Sequence, residues 1–180
     1  NLTSGVTTLL SWFAVLAQVF VVAVLVALVF AKKIKILGRF KGFLAGEAVT
    51  LCFGAATLAV LGSLFYSEIA GYEPCSLCWV QRIFIFPQFF LFLVAFTANR
   101  KDVFKYALAL AVPGMIVSAY HYYVQAGGIN FLTCGAGEGA VSCSKLFVIE
   151  YGYITLPLMA FLTSLVIGLV SFLGMRKDCE

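Results

Sequence analysis

The stretch LLSWFAVLAQVFVVAVLVALVFA, residues 9–31, carries no charged side chain and only Ser11, Trp12 and Gln18 with a side-chain polar atom. About 20 apolar residues cross the hydrocarbon core of a bilayer, so this run reads as a transmembrane helix. It is too long for the apolar core of a secretory signal, and its basic residues follow it instead of preceding it. Four further runs qualify: residues 48–66, 83–98, 103–124 and 154–174. The third is short when cut strictly and borrows a turn from residues 79–82. No strand-like alternation appears, and only helices or closed barrels satisfy the backbone in lipid. Pro87, Pro113 and Pro157 fall inside these spans, where kinks are expected.

The whole 180-residue chain has the same character. Hydrophobic residues make up 63% and charged residues 11%, against about 45–50% and about 25% in soluble domains. Mean hydropathy is +1.05. Disorder is excluded, because disordered chains are polar and poor in aromatics. Nucleic-acid binding is excluded by the absence of a basic stripe. The expectation is an all-α membrane protein in a single domain over residues 1–180.

Charge sets the topology. Lys32, Lys33, Lys35, Arg39 and Lys41 follow the first span, Arg100, Lys101 and Lys105 join the third to the fourth, and Arg176 and Lys177 end the chain. Ten of the twelve basic residues thus share one side of a five-span chain, with Arg82 and Lys145 opposite. Cytoplasmic loops are enriched in Lys and Arg, so the C-terminus is expected in the cytoplasm and the N-terminus outside. Removing any span would split the basic loops between two sides. Two loops, 67–82 and 125–153, then face outward. In the second, stretches such as Asn130-Phe131-Leu132 and residues 145–149 are expected on the membrane surface.

Four of the six cysteines lie in those outer loops: Cys75 and Cys78 in the first, Cys134 and Cys143 in the second. Cys52 reads as a small core residue of the second span, and Cys179 as a reduced cytoplasmic thiol. Disulfides persist on the outer side. Four cysteines allow three connectivities, among which sequence does not choose. A bridge within C-x-x-C closes a tiny loop and adds little stability, so that pair points to redox chemistry more than to a staple. A four-thiolate zinc site is the competing arrangement. The oxidising compartment disfavours it, and no metal is expected.

The surroundings of the first pair support redox chemistry. Pro74 ends whatever precedes it, and the third helix is expected to begin near Cys78, where a helix N-terminus stabilises a thiolate. Arg82 follows Cys78 by four residues on the same face. A cation there calls for an anion, such as a thiolate or a ligand oxygen; the alternative is that it reaches for lipid headgroups. His121, the single histidine, sits at the outer end of the fourth span in Tyr120-His121-Tyr122-Tyr123, as a functional residue or as part of an interfacial aromatic belt.

Pro74-Cys75-Ser76-Leu77-Cys78-Trp79-Val80-Gln81-Arg82 resembles the P-C-x-L-C-x-x-Q-R signature of the DsbB family of bacterial disulfide bond formation proteins. Tyr120-His121 with Gln125 is similar to that family's pattern before its second loop. The resemblance runs from about residue 48 to the end of the fifth span. It implies a four-helix transmembrane bundle in the bacterial cytoplasmic (inner) membrane that passes electrons from protein thiols to a membrane quinone, ubiquinone or menaquinone. On that reading Cys75–Cys78 and Cys134–Cys143 are redox-active disulfides. Cys134 would be attacked by a soluble DsbA-like thioredoxin-fold protein, and Cys143 would exchange with Cys75. Cys78 would face the quinone. Arg82 would stabilise the Cys78 thiolate and the reduced quinone oxygen, and His121 would lie near the quinone.

The chain departs from the family in its extra first span and in the short spacing from Cys134 to Cys143. No Rossmann fingerprint, haem-attachment motif or iron–sulfur spacing offers another electron acceptor. Two alternatives remain open at this level. Vitamin K epoxide reductases are also quinone-linked bundles, but they usually place C-x-x-C after the other pair. A non-catalytic bundle with structural disulfides would leave Arg82 and the C-x-x-C at a helix start without a purpose.

Overall fold

A computed structural model describes residues 2–30, 34–98, 102–129 and 142–177. Among them are α1 (Leu2–Phe30), α2 (Lys35–Gly46), α3 (Ala48–Leu64) continued by a π-helical turn (Phe65–Ile69), α4 (Ser76–Thr97), α5 (Val103–Gln125) and α6 (Leu156–Lys177). No strand is formed among the described residues; one isolated bridge joins Glu150 to Ile154. Five helices are long and apolar enough to span a membrane, α3 with its π turn counting as one. The expected five-span, all-α architecture is therefore the observed one.

The spans differ from the expected bounds at their ends. α1 begins seven residues earlier than expected, because Thr7 and Thr8 donate their hydroxyls to the carbonyls of Thr3 and Ser4 and so fit the helix without exposing polar groups. Pro157 lies in the first turn of α6 instead of kinking it, a position whose N–H has no helical partner anyway. α4 and α5 continue through Pro87 and Pro113. Near the first of these prolines, the Gln88 amide donates to the carbonyl of Phe84 at 2.8 Å.

The largest departure is α2. The segment after the first span, expected as a basic loop, is a helix. Leu37, Phe40 and Leu44 recur three and four residues apart, the period of an amphipathic helix. Phe40 and Leu44 pack with Val24 of α1 and Leu173 of α6, while Lys35 and Arg39 stay exposed. Charges in this segment mask its period.

Small residues let the bundle close. Ala48, Cys52 and Ala56 repeat every four residues along α3 and meet Phe92 and Ala95 of α4, Phe104 and Ala107 of α5, and Ile167 and Val170 of α6. Such stripes allow backbones to approach in lipid, where no hydrophobic force drives helix association. Cys52 is fully buried there, 3.8 Å from the Ser171 hydroxyl. The most extensive interface joins α5 to α6. This core gathers the start of α3, the end of α4, the start of α5 and the last turns of α6. The same end of the bundle carries α2, Lys105 and Arg176. Cys75, Cys78, His121 and Cys143 lie at the opposite end.

Gly114 of α5 is a tight point. A Cβ there would lie 3.1 Å from the Ser164 hydroxyl and 3.3 Å from the Phe84 Cβ. Gly114→Leu is expected to wedge α5 from its neighbours at a cost of about 1–3 kcal/mol. Gly54→Ala, with nothing within 4 Å of its new Cβ, is expected to leave stability unchanged. Thermal unfolding of the purified variants in detergent checks both.

Candidate redox site

The site is built on the start of α4. Gly71 adopts φ +68°, a left-handed conformation that glycine tolerates, and turns the chain out of the π turn. Pro74 then leads into Cys75, whose extended backbone (φ −70°, ψ 171°) makes it the N-cap of α4. N-caps are commonly oxygen side chains accepting from a free N–H of the first turn. Here the acceptor is sulfur: the Cys78 N–H donates to Cys75 Sγ at 3.4 Å. The helix thus starts at Ser76, ahead of the expected start, because the cysteine itself caps it.

The two sulfurs stand 3.0 Å apart and are free thiols. They are about 1 Å beyond the bonding distance of about 2.05 Å, close enough for the expected Cys75–Cys78 disulfide to form with little movement. His121 Nε2 lies 3.7 Å from Cys75 Sγ and 3.2 Å from the backbone carbonyl of Cys143. A carbonyl only accepts, so Nε2 carries the hydrogen. Cys75 is therefore surrounded by donors. The Cys78 thiol contributes most, then the His121 ring and the Cys78 N–H; they outweigh burial and bring the Cys75 thiol down from 9.0 to about 4.

Cys143 joins this cluster from the second loop. It is disulfide-bonded and 1% exposed, packed with Cys75, Leu77 and Val124 against Cys78, Val117 and Tyr120. Val117, His121 and Val124 share one face of α5, which explains why the histidine points at the cysteines. Gln125 donates to the Lys145 carbonyl at 3.2 Å and ties the same loop to α5. Tyr72 stacks on Tyr66 and on Phe147, with centroids at 5.8 and 5.0 Å. Val148 is buried. Residues 145–149, expected to lie on the membrane surface, are thus partly folded inward onto the first loop. Cys134 and Asn130-Phe131-Leu132 lie outside the described residues, as does Cys179.

On its other side the site opens into a cavity of about 460 Å³ lined by Cys78, Arg82, Glu73, Gln81, Tyr66, Tyr72, the hydroxyl residues Ser63, Ser67 and Thr163, and apolar residues of α1, α3, α4 and α6. This volume falls in the range of small-molecule pockets, about 300–1,000 Å³. Arg82 is held at its edge: Nε donates to the Ser63 hydroxyl at 2.9 Å and one terminal nitrogen to the Ser63 carbonyl at 3.1 Å. Its guanidinium lies over Trp79 and Phe86, at 5.1 and 5.9 Å. Ser63 and the aromatic faces thus hold the guanidinium in place, with the cation beside Cys78 as expected of a thiolate partner. His121, expected toward a quinone, is not in the cavity wall; it faces Cys75 and Cys143. Sequence reasoning missed Ser63, Tyr66 and Tyr72, because nothing in their spacing points to the site and only the fold brings them there.

Cys75, Cys78 and His121 bring three possible metal ligands within 4.8 Å. Two thiolates on one tetrahedral zinc, with Zn–S about 2.3 Å, sit about 3.8 Å apart. The observed 3.0 Å is closer, which suits sulfur–sulfur chemistry.

The family model described as "Disulfide bond formation protein DsbB" matches residues 46–174. The chain belongs to the DsbB family. The match favours the DsbB resemblance over the vitamin K epoxide reductase alternative, and it places the chain among disulfide bond formation proteins. It covers the bundle from the end of α2 through most of α6 and omits α1. "Probable disulfide formation protein C" of Bacillus cereus is 37% identical over 132 residues, 72% of this chain and 93% of that protein. "Probable disulfide formation protein" of Oceanobacillus iheyensis is 39% identical over 137 residues, 74% and 92% of the two chains. "Disulfide bond formation protein C" of Bacillus subtilis is 36% identical over 114 residues, 62% and 80%. No solved structure matches the chain. Both cysteines of the DsbB signature in this chain lie at the end of the bundle away from α2.

A thiol held well below the usual range keeps its thiolate to lower pH. Alkylation of Cys75 in the reduced protein is therefore expected to stay fast below the pH at which an ordinary thiol of pKa about 8.5 is protonated. Cys78→Ala removes the largest stabilising donor and should raise the midpoint most, and His121→Ala should raise it less. Mass-spectrometric alkylation rates against pH give both comparisons.

Proposed function

We propose that this protein oxidises the dithiol of a soluble DsbA-like thioredoxin-fold partner and delivers the two electrons and two protons to a membrane quinone. The observation that carries this reading is the order of the sulfurs. Cys143 is buried against Cys75, Cys75 lies 3.0 Å from Cys78, and Cys78 lines the apolar cavity. Electrons entering the second loop have a continuous sulfur path to that cavity.

Each step between sulfurs is thiol–disulfide exchange, in which a thiolate attacks a disulfide sulfur and another thiolate leaves. The partner's dithiol becomes a disulfide while the second-loop disulfide, with Cys134 as the attacked sulfur, is reduced. The Cys143 thiolate then attacks an oxidised Cys75–Cys78 bond at Cys75 and releases Cys78 as the thiolate; the Cys134 thiolate attacks Cys143 in turn, which restores the second-loop disulfide and releases Cys75, so that the two electrons rest on Cys75 and Cys78. His121 and the Cys78 N–H steady charge on Cys75, and Arg82 places a fixed cation beside Cys78. A quinone, when bound, supplies a two-electron acceptor dissolved in the bilayer. The cavity suits such a molecule in kind: Cys78 and Arg82 form a polar end, and the rest of its wall is largely apolar. The basic end bearing α2, Lys105 and Arg176 faces the cytoplasm under the positive-inside rule. The cysteines then face outward from the cytoplasmic membrane, as a periplasmic or extracellular partner requires.

Quinone reduction driven by a reduced thioredoxin-fold partner tests the proposal. Wild type is expected to turn over, whereas Cys75→Ser and Cys134→Ser should fall to background, at least about a hundredfold, by loss of a covalent step. Turnover by Cys78→Ser at the wild-type rate would sink the sulfur order given above. A wild type whose second-loop disulfide resists the partner would point instead to a structural bridge.

A further inference from the structure

We propose that α1, the span that the family match omits, forms one wall of a channel for the polyprenyl tail of the quinone. This rests on the quinone reading above and goes beyond it by giving the extra span a ligand.

The cavity is elongated along α1. Leu10, Ala14, Ala17 and Phe20 all line it. They recur at helical spacing, and ten residues of helix cover about 15 Å. Its polar end lies at Cys78 and Arg82, and the opposite reach at Phe20 and Leu51. The groove therefore runs from the sulfur pair toward the middle of the bundle. A ligand that touched Cys78 with its ring would have largely apolar surface along the remainder, with Thr163 among the few polar side chains on the α6 side.

The gap has a structural cause. α1 packs on α6, where Ala14 is buried with Ile154 and Leu162. It meets α3 at the outer end. There Leu10 lies 3.4 Å from where a Cβ on Gly62 would stand, and the Tyr66 hydroxyl donates to the Thr7 hydroxyl at 3.2 Å. Below that clamp the facing residues of α1 and α3 include Ala17, Ala55 and Ala59. Small side chains on both walls leave space that neither helix fills. Apolar cavities stay dry and accept apolar guests. The continuity of this one with the Cys78–Arg82 end selects an amphiphile having an oxidising head and a hydrocarbon tail.

The test compares tailed and tail-less quinones on the purified full-length protein. The probes are menaquinone-4 against menadione, and decylubiquinone against its tail-less parent. The first readout is binding, measured as the shift of thermal unfolding with quinone concentration. The second is KM in the partner-driven assay. Wild type is expected to bind the tailed forms more tightly. Ala17→Trp should weaken tailed quinones by about tenfold (about 1.4 kcal/mol) and leave tail-less ones within a factor of about two. Ala59→Leu, on the facing wall, should act in the same direction should Ala17→Trp fail to fold. Val22→Trp, a lipid-facing change on the same helix, should alter neither.

Equal weakening of tailed and tail-less quinones, or no effect on either, overturns the channel while leaving the quinone reading intact. Equal stabilisation by dioleoyl phosphatidylcholine and by the tailed quinones would make the groove a lipid slot and also overturn it. A wild type that neither binds nor reduces any of the four quinones overturns the underlying reading, and the channel falls with it.

Discussion

The Cys78 N–H pointing at the Cys75 sulfur is the contact on which the cysteine-bearing end of the molecule depends. It starts α4, fixes both sulfurs on one side of that helix, and gives negative charge on Cys75 a donor that cannot move away. A thiol serving as a helix cap combines two tasks that are commonly separate. Forming a bond between Cys75 and Cys78 changes the acceptor at that cap, so oxidation state and the first turn of α4 are mechanically linked. His121 reaches the same sulfur from α5, and Cys143 packs on it from the second loop. Three separate parts of the chain therefore converge on one atom.

Much of this was legible in the sequence, because the bilayer imposes coarse rules. Length and hydropathy gave five spans, since each must cross about 30 Å of hydrocarbon. The placement of Lys and Arg gave their alternation. The C-x-x-C with Arg82 marked the redox end, because these residue types at this spacing have little structural use. What stayed hidden depended on side-chain period or on tertiary contact. α2 was obscured because charge outweighs periodicity in a hydropathy reading. The early start of α4 was obscured because cysteine is not an ordinary capping residue. Ser63 looked like a small residue in a span, yet it fixes Arg82 through two hydrogen bonds. The facing of His121 toward Cys75 instead of the cavity follows from its register with Val117 and Val124, which only the packing of α5 on α4 reveals.

The arrangement also gives the sulfurs two different environments. Cys143 and Cys75 meet in a buried apolar cluster. Cys78, three residues on, borders a space continuous with the hydrophobic interior. One helical turn of α4 thus separates the buried sulfur cluster from the apolar cavity. Arg82, a further turn inward, keeps a positive charge at that boundary at modest cost, because Ser63 and the faces of Trp79 and Phe86 replace much of its hydration.

The hydrogen on His121 Nε2 has two claimants, the Cys143 carbonyl at 3.2 Å and the Cys75 sulfur at 3.7 Å. One N–H serves two acceptors only weakly, so each claimant gains what the other gives up. The carbonyl has the closer hold, so the hydrogen available to steady charge on Cys75 is rationed by where the backbone of Cys143 sits.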